Sequence, residues 1–261
     1  MKNAIKMFCG TLAFLALGQA QAGGISDSGV NAYWGSDDHG YGDVIGGSTY
    51  DIQGATITRA GSVLTIVIAT SFAGHAGMDA SINRGGIGYG DLFLSDTWSA
   101  AGTDSHHVND DSTTGTVWDY GLVLDNRYSN SGGTFSLYQL KGATNAANIL
   151  NSESVMSCIL GTACLYRDGQ ETLVKTASTT VANTKVTGTW TVAANQSLTF
   201  TMNLAGTELL NYTSFAMHWG ETCQNDVIEG ITRVVPTPGS AALVFLGLGA
   251  LGLARRRRRV A

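Results

Sequence analysis

The chain has 261 residues, 44% of them hydrophobic, and a formal charge of −5 from 20 acidic and 15 basic residues. Lys2, Lys6 and Arg255 to Arg259 lie at the two ends, so the interior from 23 to 235 keeps eight basic residues against all 20 acidic ones, a net charge of −12. A body this acidic repels nucleic acid and anionic lipid surfaces, which excludes both as partners of the interior, and its length suits one domain with one core.

The N-terminus reads as an export signal spanning residues 1–22. Lys2 and Lys6 form a positive region, Met7 to Leu17 is apolar, and Ala20-Gln21-Ala22 is a small-x-small cleavage site placing Ala22 and Gly23 on either side of the cut. Cys9 lies inside the apolar stretch and is removed with it. Residues 23–234 then form the exported domain.

Early in that domain, Ser36 to Asp43 packs Asp37, Asp38 and Asp43 among glycines, an oxygen-rich loop of the kind that holds Ca²⁺. The spacing does not fit an EF-hand loop, and a solvated turn is the plainer expectation. Tyr33, Trp34 and Tyr41 flank it and could stack on sugar rings. Gly40-Tyr-Gly-Asp43 recurs as Gly88-Tyr-Gly-Asp91, either two similar strand entries or a duplicated binding loop. Adjacent His106 and His107 would face opposite sides of a strand and so make a poor chelate.

Strand signals dominate the interior. Ala55 to Arg59 and Val63 to Thr70, rich in Ile, Val and Thr and split by Ala60-Gly61-Ser62, predict a hairpin with Leu64, Ile66 and Ile68 on one face. Both faces of the second arm are fairly apolar, which predicts a central strand. Further strands are expected over 91–95, 116–124, 134–140, 172–175, 185–192, 197–204, 215–219 and 227–234. Only 143–157 looks helical. Many short strands with Gly-rich turns predict an all-β fold, a single β-sandwich of jelly-roll or lectin-like form. Trp118 and Tyr120 alternate with Asp119 inside a strand and are expected in the core.

Three cysteines remain after Cys9. Cys158 and Cys164 bracket a short loop with Gly161 at its turn and are the favoured pair in an oxidising compartment, with a bridge from Cys223 to either as the alternative. No nucleophile elbow, zinc helix or phosphate loop is present, so no catalytic residue and no cofactor are assigned. Glutamates are few. Glu221 and Glu229 flank Cys223, and a carboxylate pair of this kind is what a glycosidase would need.

The last segment, 235–261, has three parts: Val235-Pro236-Thr237-Pro238-Gly239, an apolar run from Ala241 to Ala254, and Arg255, Arg256, Arg257, Arg258 and Arg259. As a helix the apolar run spans roughly 21 Å, short of a hydrocarbon core of roughly 30 Å but workable where the bilayer thins or arginines snorkel. The arginines hold their end in the cytoplasm. This tail resembles the PEP-CTERM sorting signal of Gram-negative bacteria, with Thr237 where that family has glutamate. The segment from Met217 to Glu229 also resembles a stretch that recurs near the tail in such proteins. The resemblance implies cleavage near Pro236, Thr237 and Pro238 by an exosortase, a membrane-anchored intermediate, and transfer to the cell surface or matrix. It further implies a non-enzymatic surface protein associated with exopolysaccharide or biofilm. A Ca²⁺-assisted lectin-like module and a secreted polysaccharide-active enzyme are the alternatives.

Overall fold

The computed structural model describes residues 21–27, 44–99, 113–162 and 164–234. The fold is all-β. Its strands are β1 (Gln21–Ser26), β2 (Ile52–Ala60), β3 (Val63–Thr70), β4 (Leu92–Ser95), β5 (Tyr120–Leu124), β6 (Gly132–Leu140), β7 (Ile149–Asn151), β8 (Glu171–Val174), β9 (Val181–Ala193), β10 (Ser197–Asn203), β11 (Ser214–Gly220) and β12 (Val227–Arg233). Ten of them form one antiparallel sheet in the order β1-β2-β3-β10-β9-β6-β5-β4-β11-β12, and β7 pairs with β8 apart. Where the sequence suggests two facing sheets, one continuous sheet curls into a near-barrel. Its end strands meet: a β-carbon on Gly23 of β1 would collide with the Thr232 hydroxyl of β12.

The expected hairpin forms, with Thr58 opposite Thr65 and Ala60 opposite Val63. Leu64, Ile66 and Ile68 are buried. β3 is central in pairing, flanked by β2 and β10, but its second face is open to solvent and Val63 is 40% exposed. The helix-like stretch is broken into a turn of helix α1 (Asn145–Asn148), the strand β7, and a second turn α2 (Ser152–Val155). Neither helix has a side-chain cap, and four residues are too few to stand without packing.

The main core fills the inside of the curl. An aromatic ladder crosses it: Tyr50 stacks on Phe72 at 5.5 Å, Phe72 meets the edge of Tyr89, and Tyr89 meets Trp190, each at 5.4 Å. Such pairs add about 0.5–1.5 kcal/mol each beyond the area they bury. A second, smaller core of Phe93, Trp118, Leu140, Ile149, Val174 and Ala216 lies on the outer face, roofed by β7 and β8. Asp91 ties that roof down. It is buried, accepts from the Val174 N–H at 2.9 Å and pairs with the Arg127 guanidinium at 3.1 Å. Burial raises its pKa and Arg127 opposes the rise.

Candidate functional site

Strand alternation sends Phe215, Met217 and Trp219 of β11 into the main core and Ala216 and His218 to the other face, under the roof. His218 is fully buried and lies opposite Glu229 of β12 and Phe93 of β4. Its Nε2 is 2.8 Å from the backbone carbonyl of Glu171, which can only accept, so Nε2 carries a proton. Its Nδ1 is 3.0 Å from Glu229 Oε2, and a hydrogen bond there needs a second proton, held by one atom or the other. The pair is therefore a neutral acid beside a neutral imidazole, or a carboxylate beside an imidazolium. Trp98 Nε1 donates to the other Glu229 oxygen at 2.7 Å. Burial pushes Glu229 up to about 7, while the Trp98 bond pulls it down.

Glu171 closes the cluster. Its Oε1 accepts from Asn145 Nδ2 at 2.8 Å and from Trp118 Nε1 at 3.3 Å. Gln224 Nε2 reaches the Glu171 carbonyl at 3.2 Å. The network joins β8, β11, β12 and the α1 turn beneath the surface to the segment carrying Trp98, which is half-buried.

A second polar cluster lies just past β11. Glu221 bridges to Tyr89, whose ring is in the main core, so its side chain points inward. It is fully buried; the backbone N–H groups of Glu221 and Asp226 lie near its carboxyl, but neither oxygen closes a hydrogen bond of good geometry. Burial pushes it up to about 8. The backbone N–H groups of Glu221 and Asp226 and the Arg167 charge pull it down, and Asp27 pushes it up. Nearby, Tyr50 Oη donates to Asp79 Oδ2 and burial raises the Tyr50 pKa. Cys223 is buried and free, its thiol pushed well up by burial and then by Glu221. The turn is also a hub: Asp226 Oδ2 accepts from the Ile52 N–H at 2.6 Å, and the Asn225 carbonyl accepts from the Ile45 N–H at 2.8 Å.

Glu221 and Glu229 thus lie on opposite faces of the sheet. Two carboxylates that flank one bond must share a cleft, and these two do not. Cys158 and Cys164 are joined by a disulfide. Trp118 and Tyr120 are 1% and 3% exposed and pack as core. In the second copy of the repeated tetrapeptide, Tyr89 and Asp91 are buried, so that copy is a strand entry. Ala22 and Gly23 pair with Thr58 and Ile57 within β1. Asp37, Asp38, Asp43, Tyr33, Trp34, Tyr41, His106, His107, Pro236, Thr237, Pro238 and Arg255 to Arg259 lie outside the described residues. Among the described residues, no group of three or more His, Cys, Asp or Glu side chains is placed to hold a metal, and no helix is long and apolar enough to cross a membrane. Open hollows also indent the described surface. One of about 630 Å³ is lined by β1, β2 and β3, and one of about 350 Å³ is lined by Tyr120, Lys141, Asn183 and Glu208 among others.

His218, Glu171 and Trp98 were not legible as a cluster in the sequence. The available signal is the alternation of β11, which sets a histidine on an otherwise apolar face opposite a glutamate of the next strand. Comparison with protein-family models, with curated proteins and with solved structures finds no match to this chain.

Proposed function

We propose that the chain is an exported, non-enzymatic surface or extracellular-matrix protein, sorted through its C-terminal segment and associated with exopolysaccharide. The observation that carries this is the order of the last segment: Pro236-Thr237-Pro238, an uncharged apolar run, then five arginines. An exosortase-type enzyme is the implied partner, and an inner-membrane-anchored intermediate precedes the cell surface. The buried chemistry is compatible with a structural body. Glu171, Glu221, Glu229 and His218 are all less than a tenth exposed, and three of them are wired to neighbours rather than presented to a substrate. Deleting Pro236 to Ala261 tests the sorting: surface display should be lost, and unchanged display would refute it.

A Ca²⁺-assisted glycan-binding module is the second possibility, and one observation favours it. The acidic segment 28–43 leaves β1 at Asp27 and returns at Val44. The returning stem meets the turn after β11 through the Ile45 bond to Asn225, and the Asp27 charge at the other stem is among the influences that raise the pKa of Glu221 in that turn. The discriminating measurement is retention on the host exopolysaccharide with and without chelator. Loss with chelator, and equally with Asp37→Ala/Asp43→Ala, selects the Ca²⁺ module. Retention indifferent to both selects a metal-free adhesin. Glu221→Gln and Glu229→Gln on a glycan panel test the enzyme alternative, to which their placement on opposite faces lends no support.

A further inference from the structure

The outer face of β2, β3, β10 and β9 carries a grid that the sorting reading does not use. Strand pairing sets Thr58 opposite Thr65, Thr65 opposite Thr201 and Thr201 opposite Thr189. The row continues to Thr134 on β6. One step along, Thr56, Val67, Thr199 and Thr191 form a second row. Every position of this two-by-four grid is threonine except Val67. The pleat behind it carries Ile57, Ile66, Phe200 and Trp190, all in the main core, so the grid stands on a fully packed base. Thr56, Thr189 and Thr191 are exposed, and Thr58, Thr65, Thr199 and Thr201 are half-buried by their neighbours.

Strand preference alone does not account for the pattern. Val, Ile and Tyr suit an exposed strand as well as threonine does. A chain with a net interior charge of −12 has acidic side chains to place on a solvated face, yet the grid has none. It also has no aromatic ring. Thr134 Oγ1 donates to Asp125 Oδ2 at 2.7 Å, but the grid hydroxyls have no hydrogen-bond partner among the described residues.

The array therefore offers hydroxyl and methyl groups on a repeat of about 4.8 Å across strands and about 6.7 Å along them. β-Branching restricts each side chain at χ1, so the array is held in place before anything binds. A single hydroxyl gains little by exchanging water for another partner. Many rigid groups on a repeat gain together only when the partner is also rigid and periodic, because neither side then loses freedom on contact. A mobile glycan strand does not meet that condition, and the grid lacks the rings on which pyranoses stack. Lattice-ordered water does: its molecules repeat on a similar few-ångström scale, accept from and donate to the threonine hydroxyls, and leave gaps between them that the methyl groups fill. Neighbouring strands are rotated by about 20–25°, which confines a planar contact to the central strands β3 and β10 and the near positions of β2 and β9.

We propose that this threonine face binds ice. The experiment is partition of the full-length chain, in non-ionic detergent, into slowly grown polycrystalline ice. The chain should enter the ice above the level of an excluded solute protein in the same detergent. Thr201→Lys/Thr189→Lys should lower its partition by about tenfold, while Leu160→Lys, on a loop away from the face, should leave it unchanged. Should the lysine variant lose its melting transition, Thr201→Tyr/Thr189→Tyr decides the matter. Tyrosine suits a strand but stands above the grid, so it too should lower partition. Wild-type chain excluded from ice would overturn the proposal. So would natively melting grid variants that partition like wild type. Retention on an insoluble neutral polysaccharide that tyrosine strengthens, with no ice partition, would assign the face to a glycan instead.

Discussion

His218 and Glu229 share a proton. The carbonyl of Glu171 fixes one proton on Nε2, and the 3.0 Å approach of Nδ1 to Oε2 requires another between ring and carboxyl. The pair titrates as a unit and stays neutral overall while it holds that proton. Its buried position makes the arrangement costly to break from either side.

Removing the ring should expose that cost. His218→Ala leaves the Glu229 carboxyl and the Glu171 carbonyl each short of a partner beneath the roof, and it should destabilise by about 3–5 kcal/mol. Glu229→Gln keeps a group that can donate to Nδ1 and accept from Trp98, so its cost should be about 1 kcal/mol. Urea unfolding of both variants checks the order. Equal costs would mean that the shared proton is not what holds the roof.

Glu221 should impose a pH slope. Its ordinary value is 4.5 and its folded value about 8. Below 4.5 both states carry the proton and the group contributes no slope. Between 4.5 and 8 the folded state keeps a proton that the unfolded state has released, so stability falls as pH rises, by up to about 1.4 kcal/mol per unit. Glu229 acts in the same sense. Glu221→Gln should flatten the curve of stability against pH across this window, and an unchanged curve would show that Glu221 is not the group responsible.

The cysteines should differ in reactivity. Cys223 is fully buried in the main core, so a thiol reagent should label it only after denaturation, as peptide mapping would show. The Cys158–Cys164 bridge spans six positions and closes a short loop. Cys158→Ser/Cys164→Ser should cost about 2 kcal/mol by the loop-closure argument. Labelling of Cys223 in the folded protein would contradict its enclosure.

Gly188 on β9 should not tolerate a side chain. A β-carbon there would collide with the Phe135 ring and the Thr201 carbonyl. Gly188→Ala should cost about 1–3 kcal/mol, through displacement of Phe135 or of the β9–β10 pairing. Thermal unfolding would register the loss.

The hairpin β2–β3 and most later strands were legible because one face of each alternates apolar residues at period two, as Leu64, Ile66 and Ile68 do. β7 was not, because Ile149-Leu150-Asn151 is too short to show a period and sits between two single helical turns. β1 was hidden for a different reason: Gln21 and Ala22 satisfy a cleavage pattern as well as a strand. The curl of the sheet could not be read at all. Alternation states which face a residue takes, not whether ten strands divide into two sheets or close on themselves. The polar cluster failed for a related reason, since Glu171 and Trp98 reach His218 from segments far away in sequence.

The packing of Gly23 beneath Thr232 brings the entry and exit of the described body together. Whatever precedes Gln21 and whatever follows Val234 leave from one pole. Any attachment made through either end would hold the body at that one pole. A cut at either end would therefore fall at that pole, on the side away from the strands across the curl.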